Sequence, residues 1–416
     1  MHQQITLPNG ARLLTEEVPG ARSAALGFFV GAGSAHEKAR ENGAAHFIEH
    51  MLFKGTHRRT AAQLAMDMDA IGGQLNAYTT KEYTCFYARS LDRHLERSMD
   101  LLQDMLFHSR FAQEDVELER GVVLEEIGMY EDTPEDLAAE RLAAAVYKGA
   151  PLARPILGTQ ATLAGMTGDF LRQWQEEHYC PGAMVAALTG SFDSAQVEQL
   201  EQLLSSLPAR PLPQQKESRY RPAVTVRKKA IEQNHLILAF SAFSYLDPRR
   251  PQLLLLNALL GGGCSSRLFQ QLREQKGLCY TVYSFYSDHR DTGFLGVYAA
   301  VSREQEGEAL DTLRDVVCRL AQDGPSQEEL DRVREQAKAN LLMASESVQS
   351  RMSHLGTSAL LYGRVRDTGE ILSLYDAVTR EQLWELAREL FQMDQASLSA
   401  VGRVGSAQDY ARWLGR

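Results

Sequence analysis

The chain has 416 residues, of which 44% are hydrophobic and 24% are charged, and its formal net charge is −10. A chain of this length is too long for one ordinary hydrophobic core, so we expect at least two domains. The acidic balance argues against a nucleic-acid-binding protein, because such proteins usually carry a basic excess or a basic patch.

Cysteine usage and apolar runs indicate where the protein works. The five cysteines are scattered, odd in number and without a Cys-x-x-Cys pair, which predicts reduced thiols and argues against a disulfide framework or a cysteine zinc site. The opening stretch MHQQITLPNGARLL has no basic region followed by an apolar core, and no apolar run reaches the roughly 18 residues that cross a bilayer. We therefore expect a cytoplasmic protein with no membrane segment.

The first hundred residues alternate between strand and helix patterns. In QITLPNGARLLTEEV an Asn-Gly turn between two short runs predicts a hairpin, and SAALGFFVGAGS predicts an apolar strand. The apolar spacing over residues 42–54 predicts a helix, and TAAQLAMDMDAIG predicts another that ends at Gly72 and Gly73. The alternating, Thr- and Tyr-rich QLNAYTTKEYTCFYARS is typical of a strand or a hairpin arm.

Three helical stretches follow and lead to a change of composition. They are LDRHLERSMDLLQDMLF, QEDVELERGVVLEEIGMYED and PEDLAAERLAAAVY. Residues 205–222 then hold four prolines and several charges with no apolar periodicity, which is typical of a linker. We therefore predict a domain over 1–210, a linker over 211–222 and a second domain over 223–416.

The second half repeats the order of elements in the first. The strand NHLILAFSAF precedes the helix PQLLLLNALL and three glycines, and the helix RLFQQLREQ precedes the strands YTVYSFYS and GFLGVYAAV. This parallel order suggests an internal duplication. When the halves are aligned at the glycines that follow their helices, HFIEH (residues 46–50) lies opposite LLLNA (residues 254–258). We therefore expect one chemical site per chain.

The segment HFIEH has the spacing of a metal site. His46, Glu49 and His50 stand at positions i, i+3 and i+4, which share one face of an α-helix. Two neutral imidazoles and one carboxylate suit zinc and leave a position open for water, and a nearby glutamate can take the proton of that water. The order His-x-x-Glu-His is the inverzincin signature. The alternative is two histidines that lie by chance on a half-buried helix.

A third ligand is available on the glutamate-rich helix ELERGVVLEEIGMYED. Glu119 and Glu126 are two helical turns apart on one face, so one could bind a metal while the other supports it. A glutamate-rich helix is more often a solvated surface, however, and the residues alone leave that alternative open.

HFIEHMLFKGT followed by ERGVVLEE closely resembles the insulinase/pitrilysin family of zinc endopeptidases, with the nearest match to the mitochondrial processing peptidase β-subunit and its single-chain bacterial relatives. The resemblance implies one zinc ion per chain, held by His46, His50 and Glu126. It also implies that Glu49 is the general base and that Glu119 is an acidic residue that supports the site.

Two further stretches resemble substrate-binding parts of the same family. NAYTTKEYTCFY resembles its edge strand, where backbone groups of Asn76 and Ala77 would pair with an extended peptide. GGGCSSRLFQQLREQKGLCYTVYSF places Arg273 and Tyr280 on the pair that helps hold substrate over the zinc. The alternatives are a surface charge for Arg273 and a core aromatic for Tyr280.

The resemblance also implies the fold and the assembly. We expect an α+β chain of two homologous domains, each a mainly antiparallel sheet packed against helices, which together form half of a clamshell. A homodimer, or a heterodimer with a homologous subunit, would complete a chamber that admits short or unfolded peptides. The implied activity is zinc-dependent endopeptidase, and the alternative is a non-proteolytic scaffold or partner subunit of the same fold.

Overall fold

The computed structural model describes residues 2–212 and 215–416, so positions 213 and 214 of the predicted linker lie outside the described residues. Its strands are β1 (Gln3–Thr6), β2 (Arg12–Glu17), β3 (Ser23–Val30), β4 (Gln74–Thr79), β5 (Thr84–Leu91), β6 (Met184–Gly190), β7 (Val224–Lys228), β8 (Gln233–Ala242), β9 (Cys279–Asp288), β10 (Gly293–Ser302) and β11 (Ser397–Gly402). Its helices are α1 (Ala44–Leu52), α2 (Ala61–Asp69), α3 (Leu95–His108), α4 (Gln113–Asp132), α5 (Pro134–Val146), α6 (Gln160–Leu163), α7 (Gly168–His178), α8 (Ser194–Ser206), α9 (Arg250–Gly261), α10 (Glu306–Asp323), α11 (Gln327–Ala344), α12 (Val348–Tyr362), α13 (Thr368–Asp376), α14 (Arg380–Leu390) and α15 (Ala407–Trp413).

The chain forms two compact units. Unit 1 comprises Met1–Ile127, Arg154–Lys216 and Met343–Arg366. Unit 2 comprises Gly128–Ala153, Glu217–Leu342 and Asp367–Arg416. Each unit has its own sheet and its own hydrophobic core.

The sheet of unit 1 has the strand order β1-β2-β6-β3-β5-β4, and β2 with β6 is its one parallel pair. The predicted Asn-Gly hairpin is confirmed, because β1 and β2 are antiparallel with Gln3 opposite Thr15. Strand β3 is apolar along its length because it is buried on both faces. Phe28 belongs to the core with α1 and α3, whereas Phe29 packs on the other face against Met352 of α12.

The sheet of unit 2 has the order β7-β11-β8-β10-β9, and β7 with β11 is its one parallel pair. This is the order of unit 1 without β1, with the same parallel pair at the corresponding place. Helix α9 precedes the edge strand β9, just as α1 precedes the edge strand β4. The predicted α+β fold with two homologous, mainly antiparallel domains is therefore confirmed.

The two units do not coincide with the predicted domains, because two helices belong to the unit formed mainly by the other half of the chain. Helix α5 comes from the first half of the chain and packs on β7, β8 and β11 of unit 2. Helix α12 comes from the second half and packs on β3 and β6 of unit 1. Each sheet has two apolar faces, and the helix on the second face comes from the other half of the sequence. A division of the chain at one linker cannot represent this exchange.

The predicted helix RLFQQLREQ is largely a π-helical segment, Phe269–Gln275.

The cysteines and the helices agree with two predictions from the sequence. The five cysteines are free thiols, and Cys85 and Cys180 are buried. Among the helices of residues 2–212 and 215–416, none combines the length and the apolar character that a bilayer span requires.

Candidate metal centre

Helix α1 is held at its N-terminus by a buried carboxylate that sequence reasoning missed. Gly43 adopts φ +98°, which is a left-handed conformation that favours glycine, and the helix begins at the next residue. Glu37 accepts hydrogen bonds from the backbone N–H groups of Gly43 and Ala45, both at 2.9 Å, and from the Asn42 side chain at 2.8 Å. The carboxylate thus satisfies two N–H groups that a helix start leaves without partners.

Three side chains from α1 and α4 converge on one point. The Nε2 atoms of His46 and His50 are 3.2 Å apart, and Oε2 of Glu126 is 3.6 Å from each of them. A tetrahedral zinc ion about 2.0–2.1 Å from its ligands needs neighbouring ligand atoms roughly 3.3 Å apart. The donor set and its spacing therefore fit zinc. Within the described residues, this is the one group of three or more histidine, cysteine or acidic side chains close enough to share an ion.

Burial affects the protonation of these ligands. The pKa of His46 is lowered to about 3, first by burial and then by the neighbouring His50. His46 is therefore a neutral imidazole at physiological pH, which is the form that binds metals. Burial raises the pKa of the Glu126 carboxyl, and attraction to His50 acts in the opposite direction.

Glu119 is the buried partner of His50. Its Oε1 lies 2.8 Å from Nδ1 of His50, and only 5% of its side chain is exposed. Its Oε2 is in contact with Nζ of Lys54. A carboxylate on Nδ1 keeps the proton there and leaves the Nε2 lone pair for a metal. Sequence reasoning missed Lys54, although its position one helical turn after His50 in HFIEHMLFK could have indicated it.

Glu49 lies between the two histidines in sequence and faces strand β4. Its Oε2 accepts a hydrogen bond of 2.5 Å from the hydroxyl of Thr79. Burial raises the pKa of Glu49, while the Thr79 hydrogen bond and His50 lower it. A carboxylate with a raised pKa is a better proton acceptor at neutral pH than an exposed one.

Strand β4 is the edge of the sheet next to this cluster, since the order of the described strands ends there. The N–H of Thr80 donates to the carbonyl of Tyr83 at 2.8 Å, and hydrogen-bonded pairs alternate along an antiparallel ladder. The backbone of Ala77 therefore points outward, and its N–H meets the Asn76 side-chain oxygen at 2.8 Å. The backbone of Asn76 points inward to β5. This corrects the expectation that both residues offer backbone groups at the edge.

Arg273 and Tyr280 lie together in unit 2. The guanidinium of Arg273 is 4.3 Å from the centre of the Tyr280 ring, and its Nη1 donates to the Tyr280 carbonyl at 3.0 Å. Tyr280 is 76% exposed, which excludes the alternative of a core aromatic. The two residues form an exposed cation–π pair.

The corresponding helix of unit 2 lacks metal-binding chemistry. Helix α9 carries no histidine, cysteine or acidic residue within Arg250–Gly261. Residues 254–258, which align with HFIEH, include Asn257, whose backbone carbonyl accepts a hydrogen bond from Ser284. The two sheets thus share an architecture, while the cluster of ligands belongs to unit 1.

Sequence comparisons match two parts of the chain to one protein family. A sequence model described as Insulinase (Peptidase family M16) matches residues 12–160, and one described as Peptidase M16 inactive domain matches residues 165–337. A Bacillus subtilis protein named an uncharacterized zinc protease is 40% identical over 397 residues, covering 95% of this chain and 97% of its own length. A Mycobacterium leprae protein, also named an uncharacterized zinc protease, is 40% identical over 417 residues, covering 98% of this chain and 93% of its own length.

Solved structures share the fold. The peptidase M16 inactive domain from Pseudomonas fluorescens superimposes with a TM-score of 0.90 at 21% identity, covering 97% of this chain and 99% of its own. A protease from Helicobacter pylori gives a TM-score of 0.88 at 21% identity with the same coverage of 97% and 99%. At this level of identity the likeness concerns the fold alone.

Proposed function

Because the chain belongs to the insulinase (M16) family of zinc metallopeptidases, we propose that it is a zinc-dependent endopeptidase that hydrolyses short or unfolded peptides. The convergence of His46, His50 and Glu126 beside the half-buried carboxylate of Glu49 carries this proposal. This cluster combines three side chains that can bind a metal with a further carboxylate, that of Glu49, which is left to act as a base.

Each residue of the cluster has a distinct task in the proposed reaction. His46, His50 and Glu126 hold one zinc ion, and Glu119 keeps His50 oriented through its Nδ1. When bound, zinc would supply a Lewis acid that can polarise a carbonyl and lower the pKa of a water to about 7. Glu49 accepts a proton from the attacking water and returns it to the departing amine, so that the proton balance of hydrolysis closes.

The substrate is proposed to bind as an added strand. The N–H and carbonyl of Ala77 point outward at the edge β4, where a peptide carbonyl would replace the Asn76 side-chain oxygen as the acceptor of the N–H. An extended peptide can pair with such groups with little sequence preference. This favours unfolded over folded substrates, because a folded protein has no free strand to add. We further propose, from the family resemblance, that Arg273 and Tyr280 bind substrate. We also propose that the protein is cytoplasmic and that it forms a homodimer, or a heterodimer with a homologous subunit, around an enclosed chamber.

The word inactive in one family description does not favour the scaffold alternative. That description matches residues 165–337, whereas the proposed ligands and base lie within 46–126, where the other description applies. A non-proteolytic scaffold of this fold is expected to have lost ligands, and this chain has kept them.

The test is to measure zinc per chain and the cleavage of a quenched, unstructured peptide by the wild type and by Glu49→Gln. We expect both proteins to bind one zinc ion and the variant to lose about 10²- to 10⁴-fold in kcat, since the proton acceptor is gone. Glu125→Gln is the matched control, because Glu125 is the exposed neighbour of the proposed ligand. It should keep both zinc and activity. Bound zinc without any cleavage by the wild type contradicts the peptidase proposal, and full activity of Glu49→Gln contradicts the assigned base.

A further inference from the structure

Thr79 forms the hydrogen bond that orients Glu49. It is the last residue of β4, and its hydroxyl is 2.5 Å from Oε2 of Glu49. In residues 2–212 and 215–416, Thr79 is the one group that donates a hydrogen bond to this carboxylate. One oxygen of Glu49 is thus held by the strand, and the other is left for proton transfer.

The hydroxyl protons of the neighbouring threonines can be assigned. Thr84 lies opposite Thr79 in the ladder, and its Oγ1 donates to the carbonyl of Ala32 at 2.8 Å. A hydroxyl has one proton, so Thr84 has none for Thr79, whose Oγ1 is 3.4 Å away. The proton of Thr79 is therefore available for Glu49, the nearer acceptor.

The backbone groups and the side chain of Thr79 point in different directions. Thr79 has the same ladder phase as Ala77, because the two are separated by two positions and the Thr80–Tyr83 pair is hydrogen-bonded. Its N–H and carbonyl thus point outward from the edge of the sheet. Its side chain stands on the face of β4 that also carries Leu75 and Ala77, which pack on the core formed with α1.

We propose that Thr79 is a positioning residue that aligns the Glu49 carboxylate and links this alignment to the binding of an extended peptide at β4. The inference rests on the proposed endopeptidase function. A peptide that pairs with the outward groups of Ala77 and Thr79 immobilises the backbone of Thr79. The hydroxyl of the same residue then holds the base in one orientation while the peptide is bound.

Substitutions at Thr79 separate the hydroxyl from the shape of the side chain. Thr79→Val removes the hydroxyl and keeps the branched shape, and Thr79→Ser keeps the hydroxyl. With a quenched extended peptide, we expect Thr79→Val to bind one zinc ion, to keep KM within about twofold of the wild type and to lose about ten- to a hundredfold in kcat. Thr79→Ser should return kcat to within about threefold of the wild type.

Thr84→Val is the matched control, because it removes a hydroxyl from the cross-strand partner without touching Glu49. It should lower the melting temperature and leave kcat unchanged. The inference is overturned if Thr79→Val keeps the wild-type kcat, if its loss lies in KM alone, or if Thr79→Ser is as slow as Thr79→Val. In each of these cases the wild type still cleaves the peptide, so the proposed function stands and only the role of Thr79 is overturned. A wild type that cleaves no peptide overturns the proposed function itself.

Discussion

Single carboxylates in this protein have different chemistry because their surroundings differ. Glu119 is buried between His50 and Lys54, where it is paired on both oxygens. Glu49 is half-buried and receives one hydroxyl, so burial can raise its pKa. Glu37 is buried against backbone N–H groups at the start of α1. The same residue type can therefore orient a ligand, accept a proton or hold a helix.

The Glu119 carboxylate behind His50 should affect the affinity for zinc. Glu119→Ala should weaken zinc binding by about 10- to 100-fold, because His50 loses its acceptor and is left beside the Lys54 ammonium group. Competition with a zinc-binding dye measures the affinity. Glu117→Gln serves as the control, since Glu117 is exposed on the same helix and pairs with Arg120. Equal affinities of the wild type and Glu119→Ala would contradict the assigned role.

The protonation of Glu37 should make the stability of the fold depend on pH. Burial raises the pKa of Glu37 from 4.5 to about 7, although hydrogen bonds from Asn42, Ala45 and Gly43 oppose the shift. The folded protein therefore binds more protons than the unfolded chain between pH 4.5 and 7, so the stability due to Glu37 falls as pH rises through this range.

Glu37→Gln has no such proton to lose. In metal-free protein, which removes the pH dependence of zinc binding, the stability advantage of the wild type over Glu37→Gln should be larger at pH 5 than at pH 8. Urea unfolding at the two pH values measures it. An advantage that is the same at both would show that the pKa is not raised.

Strand β4 is the edge of its sheet, and the side chains on one of its faces lie next to Glu49. Alternate residues point their backbone groups outward, and alternate side chains face α1. A peptide added to this edge would run past the metal cluster because α1 packs on β4. The position of the base relative to a substrate is thus a property of the helix–strand pair.

Proline substitutions test which residues of β4 point their N–H groups outward and which point them to β5. Ala77→Pro should raise KM for an extended peptide by about tenfold or more with little change in melting temperature, because the missing N–H faces outward. Tyr78→Pro instead removes an N–H that points to β5, so it should lower the melting temperature strongly. Kinetics and thermal unfolding of the two variants measure both effects. The opposite pattern would mean that the phase is reversed.

The two sheets of the protein share one topology, but the cluster of metal-binding side chains lies beside one of them, in unit 1. The orders β2-β6-β3-β5-β4 and β7-β11-β8-β10-β9 correspond strand by strand. Helices α5 and α12 are exchanged between the halves, so neither half of the sequence contains all of its own unit. A fragment that ends at the predicted linker would lack α12 and leave Phe29 and Val185 without their cover.

The proposed pairing of chains can be tested by complementation. Glu49→Gln and Arg273→Ala chains are each expected to be inactive. If Arg273 and Tyr280 serve the metal site of a partner chain, an equal mixture should recover about a quarter of the wild-type activity, because half of the dimers would hold one complete site. Peptide cleavage before and after mixing measures this. No recovery in a mixture that demonstrably exchanges subunits would count against sites shared between chains.

The parts of this protein that depend on local spacing could be predicted from the sequence. HFIEH places its three side chains on one helix face because a turn takes 3.6 residues, and Asn-Gly specifies the first hairpin through its turn geometry. The repeated order of strands and helices was visible because each element is a continuous segment.

The contacts between distant groups follow from the folded structure and not from the local sequence. The approach of Glu126 to the two histidines, the contact of Lys54 with Glu119 and the hydrogen bond from Thr79 to Glu49 join residues on separate elements. The outward phase of Ala77 depends on the register with β5, and the exchange of α5 and α12 depends on two apolar sheet faces. Such contacts arise from packing between elements, which spacing along one element does not specify.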